Sequence, residues 1–112
     1  MDPEIKAQWI EALLSGKYRQ GQRRLRKVVN GVVEHCCLGV LCEVEGLPHA
    51  LVDPNDTVSY FKYGTEESTM DLPPKFRKVV GIEEQQQDHL TTMNDVQGYN
   101  FNQIAAWIKD NL

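Results

Sequence analysis

The segment KYRQGQRRLRKVVNGVVEHCCLGVLCE, residues 17–43, combines a cationic run, a hairpin signal and an apolar run with three cysteines. Six of the twelve Lys and Arg residues of the chain lie in residues 17–27, which we call the cationic segment. No acid occurs between Glu11 and Glu34. The rest of the chain carries a charge of −10, from six cations and sixteen acids. The sequence therefore predicts a basic strip on an acidic domain.

The Asn30-Gly31 pair is a hairpin signal, because it stands between two pairs of valines. Both residues tolerate the positive φ angles of a type I′ turn. We therefore predict two antiparallel strands over about 24–29 and 32–36. A third strand is predicted over about 57–63, where β-branched and aromatic residues recur, and the rest of 47–71 reads as irregular.

Two amphipathic helices are predicted at the ends of the chain. The first has Asp2 as its cap and ends at Gly16, and the second begins with the capping-box pair Asn100 and Gln103. Each has apolar residues at the helical period. We expect the two helices to pack through Trp9, Leu13, Ile104 and Ile108.

The apolar run CCLGVLCEV, residues 36–44, predicts a short helix over about 37–45 in which Gly39 lets another backbone approach closely. Residues 83–88 read as polar, with Leu90 and Met93 on a brief helical turn before a bend. The fold prediction is one α+β domain over residues 1–112, in which the terminal helices pack a small antiparallel sheet.

The composition argues against several classes of protein. With 41% hydrophobic and 25% charged residues, the chain has a globular composition. It contains no apolar run long enough for a membrane span and no secretory pattern, so we expect a cytoplasmic protein that does not bind membranes. Three cysteines, two of them adjacent, make a poor disulfide framework and indicate reduced thiols.

Residues 35–49 contain two histidines and three cysteines, which are candidate metal ligands or catalytic groups. Their spacing lacks the two separated pairs typical of zinc sites. His35 beside Cys36 does not make a reactive thiol, because neighbouring residues on a strand point to opposite faces. We expect buried thiols, no metal, no cofactor and no catalytic residue.

The cationic segment is the candidate ligand site. On a strand over 24–29, Arg24 and Arg26 would share a face about 7 Å apart, a spacing that suits two phosphates of one ligand. Arg23 and Lys27 would lie on the side of Leu25 and contribute less. In the alternative interpretation, these charges protect a sheet edge against aggregation.

Four other residues complete the predicted site. Arg19 extends the cationic wall, and Tyr18 or Tyr60 offers a stacking face. Asp95 follows Asn94 at a bend, a position that favours a turn closed by the Asp95 side chain. The alternative is an ion pair in which Asp95 orients an arginine of the cationic segment.

Several sequence blocks resemble a family of small, mostly uncharacterised phage and prophage proteins. The blocks are WIEALLSGKYRQG (9–21), LR (25–26), CCLGVLC (36–42), LP (72–73), MND (93–95) and FNQIAAWI (101–108). The resemblance implies a single compact domain in a phage-encoded accessory role, in the cytoplasm of a host cell. It implies no catalytic residue.

Three hypotheses of function follow. The first is sequestration of a small phosphorylated, nucleotide-like ligand by the cationic segment, without catalysis. The second is inhibition of a host nucleic-acid-binding or defence protein through the acidic residues of 53–71 and 83–88. The third is a small enzyme that uses a thiol or a carboxylate.

Long duplex nucleic acid is not expected as a partner, because the acidic surface repels it. Homo-oligomerisation is compatible with each hypothesis.

Overall fold

A computed structural model describes residues 1–53 and 58–112, which form a helical layer and a sheet. The helices of these residues are α1 (Pro3–Leu14), α2 (Cys37–Val44), α3 (Pro74–Val80), α4 (Glu84–Asp95) and α5 (Phe101–Asn111). Their strands are β1 (Arg26–Val29), β2 (Val32–His35), β3 (His49–Asp53) and β4 (Val58–Tyr63). The predicted α+β class is confirmed, with four strands rather than two or three.

All neighbouring strands of the sheet are antiparallel, in the order β2-β1-β4-β3. Asn30 and Gly31 join β1 to β2 with φ angles of 51° and 79°, so the predicted hairpin is confirmed. No helix of the described ranges is long and apolar enough to cross a membrane.

The hairpin strands are shorter than predicted. Strand β1 begins at Arg26, because Arg23 has a φ of 75° and the Leu25 N–H donates to the Thr69 carbonyl at 2.8 Å. Strand β2 ends at His35, since Cys36 is the cap of α2. The start of the cationic segment is therefore irregular. Its last two residues lie in β1, and Gln20 forms an isolated bridge with His35 of β2.

Two elements differ from the sequence prediction. Strand β3 lies in a region predicted as irregular. It is defined by its pairing with β4, and the sequence of these five residues, which stand between two prolines, carries no local signal of that pairing. The polar segment and brief turn predicted over 83–93 form one helix, α4, which Glu83 and Gln86 start with a capping box. Strand β4 matches the third predicted strand from Val58 onward, and its predicted first residue, Thr57, lies outside the described residues.

The terminal helices pack on each other as predicted. Trp9, Leu13, Ile104 and Ile108 are all buried at their contact. Trp9 also donates from Nε1 to the Cys37 carbonyl at 2.9 Å, which ties α1 to α2. Helix α2 lies between α1, α4 and β2, so it connects the helical layer to the sheet.

The close backbone approach predicted at Gly39 is confirmed. A Cβ at this position would overlap the carbonyl oxygen of Leu25. The absence of a side chain therefore lets α2 lie directly against the segment that leads into β1.

The register defines two faces of the sheet. Residues that are paired across strands point to the same side, and successive residues point to opposite sides. We call the face that carries Arg26 and its partner His35 the inner face, since α2 packs against β2 there. The outer face carries Lys27, its two partners Glu34 and Tyr60, and also Lys62.

Candidate functional site

Arg24 lies on the outer face of the sheet. Its guanidinium carbon is 4.1 Å from the centre of the Tyr60 ring, and its Nη1 donates to the Thr69 hydroxyl at 3.2 Å. The guanidinium of this partly buried residue is thus held in one orientation by an aromatic ring and a hydroxyl.

Arg26 lies on the inner face, and its guanidinium carbon is 4.9 Å from the centre of the Phe61 ring. Tyr60 and Phe61 are consecutive residues of β4 and project from opposite faces. The prediction that Arg24 and Arg26 share a face is therefore wrong. The two-residue period does not extend to Arg24, because the extended strand begins only at Arg26.

Lys27 lies on the outer face with Arg24, which corrects its predicted position on the other side. Its Nζ is 3.8 Å from Glu34 Oε1 and donates to the Gln22 carbonyl at 3.0 Å. Arg19 Nε lies 3.6 Å from the other oxygen of Glu34, so one carboxylate faces two cations of the segment.

Lys62 adds a further cation on the same face, where its Nζ is 3.0 Å from Glu67 Oε1. We call the group formed by these side chains the outer-face cluster. It consists of Arg19, Arg24, Lys27, Lys62, Tyr60, Glu34 and Glu67. With four cations and two carboxylates, the cluster has a positive net charge.

A pocket of about 260 Å³ lies beside this cluster. It is lined by Leu51, Val52, Lys62, Glu67 and Thr69. Because Thr69 also holds Arg24, the pocket and the arginine are neighbours.

Asp95 contacts the cationic segment through the backbone. Its Oδ1 accepts from the Arg23 N–H at 3.0 Å and from Asn94 Nδ2 at 2.8 Å. These two bonds form neither the predicted turn nor the alternative ion pair. Asp95 fixes the backbone of Arg23, and the exposed side chain of Arg23 takes no part in them.

Tyr18 makes an edge contact with the His35 ring, with centroids 5.4 Å apart, so it belongs to the inner side of the sheet and not to the outer-face cluster.

Asn94 forms the centre of a second polar network. Its Oδ1 accepts from the Cys37 N–H at 3.2 Å and from Gln20 Nε2 at 2.9 Å, and its Nδ2 donates to the Gly21 carbonyl at 2.9 Å. Three of the sequence blocks quoted above, around Gln20, Cys37 and Asn94, thus meet at one buried amide. The network holds the chain that leads into β1 against α2 and α4.

Glu43 is a polar centre that the sequence analysis missed. Its Oε2 accepts from the Tyr63 hydroxyl at 2.7 Å. Arg26 Nη1, His35 Nε2 and His49 Nδ1 lie 3.8, 3.7 and 3.9 Å from the same oxygen. Each of the four strands thus supplies one side chain to this carboxylate of α2. The signal in the sequence is a single acid at the end of an apolar helix.

Burial dominates the electrostatics of the Glu43 network. It lowers the pKa of His35 to about 4, although Glu43 opposes this shift. Burial, followed by the hydrogen bond to Glu43, raises the pKa of Tyr63 above its usual value. Arg26 Nε and His35 Nε2 are buried and have no hydrogen-bond partner in the described part of the chain. The network joins the sheet to α2, and its Glu43 and His49 side chains are 30% and 32% exposed to solvent.

The three cysteines are free and buried. Burial raises the pKa of the Cys36 thiol to about 12, and it also raises the pKa of Cys37 and of Cys42. Within residues 1–53 and 58–112, no three His, Cys, Asp or Glu side chains are grouped as a metal site would require.

Comparison with known proteins identifies a family. No curated protein and no solved structure is found to match this chain. The family described as Domain of unknown function (DUF8296) matches residues 1–86, which include α1, α2, α3 and all four strands. Because the match covers more than half of the sequence, the chain belongs to the DUF8296 family.

Proposed function

We propose that this protein binds a small phosphorylated, nucleotide-like ligand on the outer face of its sheet, without converting it chemically. The observation that carries the proposal is the guanidinium of Arg24, which lies over the Tyr60 ring and is held by Thr69. An oriented guanidinium presents parallel N–H donors that match a phosphate, and an aromatic ring beside it can stack a base.

The charge of Arg24 is available to a ligand. Among the described residues, no carboxylate pairs with its guanidinium, and its bond to Thr69 uses one donor of five. The remaining N–H groups can donate to phosphate oxygens without first breaking an ion pair. Arg23 lies next to it with an exposed side chain and is the second arginine of the proposed site.

The other cations of the outer-face cluster supply a positive field rather than fixed donors. Arg19 and Lys27 share Glu34, and Lys62 faces Glu67. The Arg19–Glu34 and Lys62–Glu67 pairs each have one exposed partner and contribute little to stability, so a phosphate can compete with their carboxylates. Arg26 is left out of the proposed site, because it lies on the inner face beside Glu43.

The resemblance to phage proteins extends the proposal to the biological setting. A phage-encoded binder of this type would act in the host cytoplasm, where it would withhold a phosphorylated molecule from host proteins. The free thiols support this setting, because such compartments keep cysteines reduced.

The test is the thermal stability and binding of the purified protein with AMP, ADP and inorganic phosphate. A ligand that binds the folded state raises the melting temperature by linkage. Arg24→Gln should weaken nucleotide binding about 10- to 150-fold, the equivalent of a charge-assisted hydrogen bond. Lys78→Gln is the control, since it removes the same charge from an exposed position on α3.

Nucleotide binding that Arg24→Gln leaves unchanged would contradict the proposed site. Absence of binding by all three compounds would contradict this choice of ligand. The proposal also states that the ligand is bound without chemical conversion. Chromatography of the recovered nucleotide checks this, because the nucleotide should be chemically intact.

A further inference from the structure

We infer that the nucleotide-like group bound by the outer face is part of a single-stranded nucleic acid, which binds more tightly than a free nucleotide. The inference rests on the proposed function and specifies its ligand. It derives from the shape of the face, from the order of the side chains on it and from the Arg24–Tyr60 stack.

The shape of the outer face does not suit a ligand that must be enclosed. Pockets for small ligands occupy about 300–1,000 Å³ and cover most of the ligand surface. The pocket beside the outer-face cluster measures about 260 Å³, which is below this range. Lys27, Tyr60 and Lys62 are only partly buried, and helix α2 packs on the opposite face. A chain that lies across the sheet would use such an open surface better than a single nucleotide.

The order of the side chains also fits a strand of nucleic acid. Lys27 lies directly across from Tyr60, and Lys62 follows Tyr60 on the same face of β4, about 7 Å along the strand. Cations therefore stand on two sides of one aromatic ring. Proteins that bind single strands combine a basic track for the backbone with aromatic side chains on which bases stack.

The Arg24–Tyr60 pair supplies the stacking platform. The guanidinium lies 4.1 Å from the ring centre, so the ring and the guanidinium form two layers. Bases stack on tyrosine rings and also on the planes of arginine guanidinium groups. One base of a single strand would add a third layer, and the phosphates on either side of that base would contact the lysines.

The charge distribution separates single strands from duplexes. The chain has a net charge of −4, so a long rigid duplex would bring many phosphates close to acidic surface. A flexible single strand can follow the outer face alone. An acidic peptide could use the same cations, but it has no base to stack on Tyr60.

The experiment is fluorescence anisotropy with labelled oligothymidylate and oligouridylate of about ten nucleotides, a length within the range of known single-strand sites. Both oligomers should bind the intact protein more tightly than thymidine monophosphate does. If about three phosphates are contacted, the logarithm of affinity should fall with the logarithm of salt at a slope of about −2.

Three variants locate the contact. Tyr60→Leu should reduce affinity for the oligomers about 5- to 150-fold, because stacking on this ring is lost. Tyr60→Phe keeps the aromatic ring and should retain most of the affinity that Tyr60→Leu loses. Phe61→Leu changes the neighbouring ring on the inner face and should also leave binding unchanged.

The outcomes separate this inference from the proposed function. If thymidine monophosphate binds as tightly as the oligomers, the inference is overturned and the proposed function stands. If neither binds, both are overturned. If a polyglutamate peptide binds as tightly as the oligomers, or if Tyr60→Leu binds the oligomers with full affinity, the surface recognises negative charge only. Either result would overturn the inference and leave the proposed function standing.

Discussion

The Tyr63 hydroxyl donates a 2.7 Å hydrogen bond to Oε2 of Glu43. Tyr63 ends strand β4 and is fully buried, whereas Glu43 lies in the last turn of helix α2. This bond therefore joins the sheet to the helical layer. Side chains of the other three strands lie within 4 Å of the same carboxylate oxygen, so Glu43 contacts every strand of the sheet.

Removing the Tyr63 hydroxyl should destabilise the protein. We expect Tyr63→Phe to lower the free energy of unfolding by about 1.5–3 kcal/mol, because the buried Tyr63 hydroxyl loses its hydrogen bond to a carboxylate. Urea denaturation measures the change. Glu45→Gln, at the cap of the same helix and outside this network, should change stability by less than about 0.5 kcal/mol. An equal effect of both variants would refute the role of the bond.

Stability should fall in mild acid because of His35. Burial holds the pKa of this histidine at about 4 in the folded protein, below its ordinary value of 6.5. Between these two values the unfolded chain binds the proton and the folded protein does not, so unfolding becomes more favourable as the pH decreases. The full contribution is present above pH 6.5, and about 3 kcal/mol is lost by pH 4.

Denaturation curves between pH 4 and 7 measure this loss. His35→Gln should flatten the profile, even if it lowers stability at every pH. His89→Gln is the control, since His89 is exposed on α4 and stacks on Trp107. An unchanged slope in His35→Gln would assign the acid sensitivity to another group.

A methyl group at position 39 should disrupt the contact between α2 and the segment before β1. A Cβ at Gly39 overlaps the Leu25 carbonyl oxygen, and this backbone atom cannot move without shifting the strand. We expect Gly39→Ala to cost more than about 3 kcal/mol, at the upper end of overpacking effects. Gly98→Ala is the comparison, because Gly98 has a φ of +71° and open space around it, so only backbone strain of about 1–2 kcal/mol applies. Equal costs would show that the close approach is not the reason for glycine at position 39.

The three thiols should be reduced and slow to react. Burial raises the pKa of Cys36, Cys37 and Cys42, so little thiolate exists at neutral pH and reagents cannot reach it. A thiol titration of the native protein should be slow, and urea should make all three cysteines react rapidly. Rapid reaction in the native state, or stoichiometric zinc in elemental analysis, would contradict buried unligated thiols.

Patterns that depend on neighbouring residues were predicted well. The Asn30-Gly31 turn, the capping pair of α5 and the apolar stripes of the terminal helices each fix local backbone geometry, and the structure contains all three. The long helix α4 was underestimated because its surface is polar, and its burial of Leu90 and Met93 becomes evident only in the packed structure.

The candidate site was predicted only in part. The sequence identifies Arg24 and Tyr60 as candidates, but not that they meet, since 36 positions separate the two residues in the chain. Arg24 and Arg26 were placed on one face because the two-residue period of a strand was applied to residues that precede the strand. Hydrogen bonds of Leu25 to Thr69 and of Arg23 to Asp95 set the backbone there, and both partners are distant in sequence.

The sequence by itself determined the class of fold, the hairpin and the composition of the basic strip, because turns, caps and periodic stripes act over a few residues. Only the tertiary structure decided which cations face the outside, how Glu43 joins four strands to α2, and that Arg24 meets Tyr60 without a carboxylate partner among the described residues. The physical reason is that ion pairing, burial and stacking depend on distances in space. These distances are set only when segments far apart in the chain pack together.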